Sequence, residues 1–279
     1  MGLLFRFASQ WVAGEEMAPA LDRIAERNRD GMGAVLNVLG EHYRDPAAAA
    51  RALREYLAMV EAMHARKLDA CLSAKPTQLG LGIDYPTFLG NARRLLEACR
   101  AAGMFLWLDM ESAAFTEDTL RAYRELLRAS PQVGVCLQAN LRRTREDLEQ
   151  LCDLKGRVRL VKGAYREDAR TAYRSRRDID ASMLSLVEVL FQRGEGFAVA
   201  SHDAKVVDKA ITMNKVHPKT FEFQFLLGVR ETLKRELVAK GYRVLEYVPY
   251  GRNWLPYFTR RLRERPRNIF TMLRSLVSG

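Results

Sequence analysis

Short apolar runs recur along the whole chain, and each is followed by a longer stretch with apolar residues at helical spacing. The runs cover 34–39, 69–74, 105–109, 133–138, 158–161, 197–200, 220–224 and 244–248. Between them lie helical patterns such as 46–67, 85–101, 117–129, 180–193 and 228–240. Strands that alternate with helices pair in parallel through right-handed crossovers. Eight such units in 279 residues predict an α/β fold closed as a (βα)8 TIM-type barrel. Continuously apolar strands suit it, because parallel strands are covered on both faces. The competing fold is an open doubly wound sheet, but the dinucleotide fingerprint GxGxxG is absent. No Pro/Ser/Gly-rich linker divides the chain, so one domain is expected over 1–279, with a helical extension over 1–33 ahead of a barrel over 34–279.

The polar residues fall at one end of these runs. The first ends in Gly40-Glu41, the second in Lys75-Pro76-Thr77-Gln78, and the third in Asp109-Met110-Glu111. The fourth ends in Gln138-Ala139-Asn140, and the fifth reads Arg159-Leu-Val-Lys162-Gly163-Ala164-Tyr165. Ser201-His202-Asp203, Gln224 and Tyr247-Val-Pro-Tyr-Gly251 close the remaining three. In a closed barrel these are the carboxyl ends of the strands, the rim where active sites are built. Singly, each residue has a plainer role: His202 as a hydrogen-bonded structural histidine, Asp109 as a helix cap, Arg159 and Lys162 as cover for the mouth. Random surface charge would not favour one end of every strand.

A last helix is expected over 253–267, where Tyr257, Arg260, Arg261 and Glu264 share one face. Adjacent arginines suit a carboxylate, which they grip through charge-assisted bidentate hydrogen bonds. The plainer alternative is a solvated basic helix or a nucleic-acid-binding one. Net charge is +11, but acidic residues are interleaved with the arginines, so most of it belongs to solvated helix surface and no nucleic-acid partner is expected. Cys71, Cys99, Cys136 and Cys152 form no CxxC pair and have no histidine at zinc spacing, so no metal site is expected. Free core cysteines and the lack of a cleavable leader pattern or long apolar run point to a cytoplasmic protein.

These motifs, in this order and spacing from about residue 30 to 268, resemble the proline dehydrogenases. Arg159-Leu-Val-Lys-Gly-Ala-Tyr165 is similar to the family's central motif, and 247–264 to its substrate-binding helix. The resemblance implies a barrel with FAD along its carboxyl-terminal face and L-proline held between the flavin and the last helix. Arg260 and Arg261 would bind the substrate carboxylate, with Lys75 adding charge, Tyr247 and Tyr257 walling the pyrrolidine ring and Glu264 fixing the arginines. Asp109 and Arg159 are the implied catalytic pair, Arg159 reaching the flavin near its reactive nitrogen. Met110, Gln138, Lys162, Gly163, Ala164, Tyr165, Ser201, His202 and Gln224 complete the implied cofactor contacts. The implied reaction gives Δ1-pyrroline-5-carboxylate, the first step of proline catabolism. The implied acceptor is a quinone, reached by peripheral association with the inner face of a membrane, and pyrroline-5-carboxylate dehydrogenase is a candidate partner.

The chain departs from the family pattern at Asn140, where tyrosine is usual, at Ser201 and Asp203, which replace threonine and asparagine, and at Leu227, where an aromatic is usual. Competing readings are hydroxyproline oxidation, which Tyr247 disfavours by filling the space a ring hydroxyl needs, a folate-reducing flavin barrel such as methylenetetrahydrofolate reductase, and a non-enzymatic nucleic-acid-binding protein.

Overall fold

The computed structural model describes residues 3–264. Eight parallel strands hydrogen-bond in chain order and close on themselves: β1 Gly33–Val38, β2 Ala70–Ala74, β3 Leu106–Leu108, β4 Val133–Gln138, β5 Arg157–Val161, β6 Phe197–Ala200, β7 Phe221–Leu226 and β8 Arg243–Tyr250. β1 pairs with β2 on one side and with β8 on the other, which leaves no sheet edge. Two helices precede the barrel, α1 Leu3–Ala8 and α2 Met17–Arg29. The crossovers carry α3 Pro46–Ala65, α4 Tyr85–Ala101, α5 Thr116–Ala129, α6 Thr144–Asp153, α7 Arg176–Arg193, α8 Ala204–Val216 and α9 Glu231–Ala239. A last helix, α10 Trp254–Glu264, follows β8.

Local chemistry sets the helix starts. The Asp45 carboxylate accepts from the amides of Ala47 at 3.0 Å and Ala48 at 3.2 Å, with Pro46 opening α3. Asp84, Ser175 and Asp203 cap α4, α7 and α8 in the same way. α9 begins three residues later than the apolar pattern suggests. Gly228 and Arg230 take left-handed backbone, and a Cβ on Gly228 would lie 2.0 Å from the carbonyl oxygen of Gln10. Helices α6 and α8 are not among the helical patterns named from the sequence. The described part of α10 stops at Glu264, and the rest of the expected 253–267 helix lies outside the described residues.

Three apolar assemblies are found among the described residues, one of them a small cluster inside the barrel of Val35, Cys71, Trp107, Ala198 and Leu245. The main core lies between the barrel and its helices. A smaller one joins Phe5, Trp11 and Val12 to Phe258, with Trp254 and Leu262 packed alongside. The Phe5–Trp254 and Trp11–Phe258 ring pairs, at 5.2 and 5.8 Å, seat α10 on the amino-terminal segment instead of beside β8.

A buried charge cluster ties α2 and α9 to the outside of β8. The fully buried Lys234 ammonium meets the fully buried Glu246 carboxylate and Glu231 at 2.5 Å, and Arg27 reaches Glu231 at 3.1 Å and Glu246 at 3.6 Å. Burial pushes the Glu246 carboxyl up, against the pull of Lys234. Removing one partner strands the other charge in the core. Lys234→Met is expected to lower unfolding free energy by about 3–5 kcal/mol near neutral pH. The deficit shrinks as pH falls, because the folded Glu246 takes up a proton at higher pH than its unfolded counterpart. Urea unfolding at pH 8 and pH 5.5 checks this; a deficit independent of pH contradicts it.

Candidate active site

Alternate residues of a strand point to opposite faces, so each barrel strand sends every second side chain inward. Inside the barrel, Ser73 on β2, Arg159 on β5 and Tyr247 on β8 meet Asp109, which directly follows β3, while Trp107 on β3 and Gln224 on β7 meet Arg159. Arg159 is 3% exposed. Its Nη2 donates to the Asp109 carboxylate and to Ser73 Oγ at 3.0 Å, and its Nη1 faces Gln224 Oε1 at 3.4 Å. The guanidinium lies over the rings of Trp107, at 5.3 Å, and Tyr247, at 5.8 Å.

Asp109 collects further donors: Ser73 Oγ at 2.7 Å, the Tyr247 hydroxyl at 3.1 Å and the Lys75 ammonium at 3.5 Å. Burial alone would raise its pKa, but Arg159 and Lys75, with the two hydroxyls, hold it below the usual carboxylate range. Burial and the Asp109 charge push the Tyr247 phenol well up, so it stays a hydrogen-bond donor. Lys75 Nζ is held from its other side by Asn37 Oδ1 at 3.0 Å. Glu111 braces the neighbouring loops: its carboxylate accepts from the Thr77 amide and hydroxyl, and its carbonyl accepts from Gln138 Nε2 at 2.8 Å.

This knot forms the floor of a cavity of about 800 Å³ at the carboxyl ends of the strands. The expected site residues Lys75, Asp109, Met110, Gln138 and Arg159 line it, as do Lys162, Gly163, Ala164 and Tyr165 after β5. So do Ser201, His202, Gln224 and Tyr247. α10 contributes Tyr257, Arg260 and Arg261, with the Arg261 guanidinium over the Tyr257 ring at 5.2 Å. The side chain of Glu264, the remaining expected site residue, lies outside the described residues.

Sequence patterns put Glu41 on the rim without a role and passed over Ser73 and Asn37. Glu41 bridges the two halves of the cavity wall, accepting from the Tyr165 hydroxyl at 2.8 Å and from Arg260 at 3.3 Å. Ser73 and Asn37 carry the only usable signal, a polar residue within an otherwise buried apolar run. Asn140, the departure from tyrosine, bonds Lys162 and Tyr173 through its backbone, and its side chain packs so closely against Gly163 that a Cβ on that glycine would lie 2.1 Å from Asn140 Oδ1. Leu227 is buried and donates its amide to the Tyr247 carbonyl at 3.1 Å.

Near β5 and β6 the cavity wall becomes cationic, with Lys162, Arg174, Arg176 and Arg230. Lys162 is held by Asp180 at 2.5 Å and Asp203 at 2.6 Å, and these two carboxylates keep it firmly protonated despite partial burial. Such a wall suits the phosphates of an anionic cofactor, and the buried polar floor suits a polar ring system beside Arg159. Cavity size and donor set therefore fit a dinucleotide cofactor. Among the described residues no cluster of ligating side chains could hold a metal, and no helix is long and apolar enough to cross a membrane.

The architecture and the convergent charged mouth are those of a TIM-type barrel enzyme. The family model described as proline dehydrogenase matches residues 20–269. Proline dehydrogenase of Deinococcus radiodurans is 34% identical over 99% of this chain and 92% of its own, and proline dehydrogenase 1 of Bacillus subtilis 33% identical over 97% and 90%. The fold is that of proline utilization A from Bdellovibrio bacteriovorus, in a structure inactivated by N-propargylglycine, with a TM-score of 0.85 and 24% identity over 93% of this chain. The present chain spans about a third (32%) of that longer protein. The chain belongs to the proline dehydrogenase family and is an oxidoreductase of proline catabolism.

The depressed pKa of Asp109 makes an acid-side prediction. Its contribution to stability is complete above the unfolded value of about 3.9 and is lost as pH falls through the folded value. Asp109→Asn is expected to lower stability at pH 7 by at least about 3 kcal/mol and to flatten the acid limb of the stability curve. Urea midpoints between pH 3 and pH 7 for both proteins test this, and parallel curves contradict it.

Proposed function

We propose that the chain acts as one catalytic unit over 1–279, with 1–33 as helical extension, and oxidises L-proline to Δ1-pyrroline-5-carboxylate with FAD as cofactor. A hydride leaves C5 of the ring and a proton leaves the ring nitrogen, creating the C5=N bond. FAD, when bound, supplies the hydride acceptor. Lys162, Ser201, His202 and the loop through Gly163, Ala164 and Tyr165 would hold it, together with Met110, Gln138 and Gln224.

The observation that carries the reading is the pairing of two opposed groups across one cavity: the Asp109–Arg159–Lys75 knot below and Arg260 and Arg261 on α10 above. The arginine pair supplies the geometry for a substrate carboxylate, and Glu41 already places a carboxylate on Arg260. Tyr247, tethered by its hydroxyl to Asp109, offers its ring as a fixed wall and leaves little room for a substituent on the substrate ring. Arg159, locked by Asp109 and Ser73, presents a preorganised positive charge where negative charge develops during hydride transfer. A helix lying over the cavity excludes water and orients the substrate. Electrons would pass on to a quinone-type acceptor, with the protein cytoplasmic and peripheral at the inner face of a membrane. Pyrroline-5-carboxylate dehydrogenase would take the product.

Removing a charged hydrogen-bonding partner costs about 1.5–3 kcal/mol. Arg260→Ala and Arg261→Ala are therefore each expected to raise the proline KM roughly 10- to 100-fold while bound-flavin absorbance stays unchanged. Wild-type KM in both variants would remove the carboxylate-clamp assignment. The reading as a whole is tested by anaerobic spectra of the purified protein with L-proline and with trans-4-hydroxy-L-proline. Bleaching by proline is expected. Bleaching mainly by hydroxyproline reassigns the substrate, and a flavin that neither compound bleaches overturns the proposed reaction.

A further inference from the structure

Glu222 stands two residues before Gln224 on β7, so the two side chains share the inward face of the strand. Gln224 is buried, at 3% exposure, and its amide is used at both ends. Nε2 donates to Glu222 Oε1 at 2.6 Å, and Oε1 faces Arg159 Nη1 at 3.4 Å. The bond to Glu222 matters because the terminal torsion of glutamine is broad and roughly two-fold. Nothing intrinsic to the side chain decides which end of the amide meets the arginine. Turned over, Gln224 would press an N–H donor against the guanidinium, which has donors only.

The guanidinium is gripped unevenly. Asp109 and Ser73 both act on Nη2, whereas Gln224 is the acceptor that the structure places at Nη1. Two contacts on one nitrogen leave a pivot, and a third on the other nitrogen sets the plane. Glu222 has few competing partners. Its register neighbour Arg243 is already engaged by Asp69, at 2.5 Å to each carboxylate oxygen. Burial pushes the Glu222 carboxyl up, and the Gln224 amide is the largest opposing influence.

We propose that Glu222 is a positioning residue: it locks the Gln224 amide so that its carbonyl oxygen holds Arg159 Nη1 and sets the plane of the guanidinium that faces the cofactor. This rests on the reading of Arg159 given under Proposed function. Glu222 touches neither substrate nor cofactor in this scheme and acts through Gln224.

The test uses the flavin-loaded enzyme as wild type, Glu222→Gln and Glu222→Leu, with Glu222→Ala as a further truncation. The glutamine variant keeps an acceptor oxygen for Gln224 Nε2 and the near-isosteric shape; the leucine and alanine variants keep neither. The readouts are the midpoint potential of the bound flavin, titrated with a chemical reductant, and kcat and KM for proline taken separately. The truncations are expected to make the potential more negative and to lower kcat by roughly 10-fold with KM within about twofold, as misplacement of a group fixed at the reacting centre does. Glu222→Gln is expected to hold both quantities near wild type. A truncation with wild-type potential and kcat overturns the inference. So does a glutamine variant with a more negative potential and a roughly 10-fold lower kcat, because the role would then be one of charge and not of orientation; this outcome overturns the inference even if both truncations fail to fold. Chemical titration separates the two levels of the argument: a wild-type flavin that proline does not bleach overturns the proposed reaction, while the potentials still judge the part played by Glu222.

Discussion

A guanidinium buried inside a barrel is tolerable only if a carboxylate and further acceptors compensate for the water it has lost, and the Asp109–Arg159 pair meets that demand. Much of the mouth follows from it. Asp109 stands two residues after the inward-facing Trp107, so the alternation of β3 carries its carboxylate inward where the strand ends. Lys75 becomes affordable beside the same carboxylate, and Asn37 and Tyr247 are drawn in to satisfy what remains. Beneath Arg159, the Trp107 ring needs room that only glycine on the next strand leaves, since a Cβ on Gly134 would lie 2.4 Å from it. An alanine there would tilt the platform on which the guanidinium rests.

The cavity thus has two electrostatic ends of different character. At the floor, Arg159 is nearly sealed from solvent and its carboxylate partner is largely buried. Near β5 and β6, Lys162 is more accessible and shared between Asp180 and Asp203, whose partial exposure makes the contacts weaker and more sensitive to salt. A ligand's ring would meet a rigid field, its phosphates an adjustable one.

The barrel was legible because most of its strands are buried on both faces and read as largely apolar runs, several of them followed by a helical stripe. Its limits were less so: β3 pairs over fewer residues than its run suggests, and the left-handed Arg230 delays α9. The expected residues at the strand ends line one cavity because strand ends share a rim, an effect of topology that a linear pattern does convey. Their cross-links were not legible. Glu41 and Arg260 are 219 residues apart, and no periodicity encodes that meeting. Ser73 and Asn37 were hidden by their surroundings, where a single polar residue reads as an interruption of a strand. Asn140, where the family pattern has tyrosine, packs its side chain against Gly163, a contact that no periodicity conveys.

The seating of α10 on the amino-terminal segment has a kinetic meaning. Phe5 and Trp11 against Trp254 and Phe258, with the Trp254 indole donating to Glu15 at 2.8 Å, join parts of the chain 239 positions apart into one cooperative patch distinct from the barrel core. Patches of this kind open and close with free energies of their own, below that of the whole domain. The roof of the cavity is thus held from the first helix as well as from Leu39 and Leu226 of the barrel, so its seating depends in part on residues that lie outside the cavity lining.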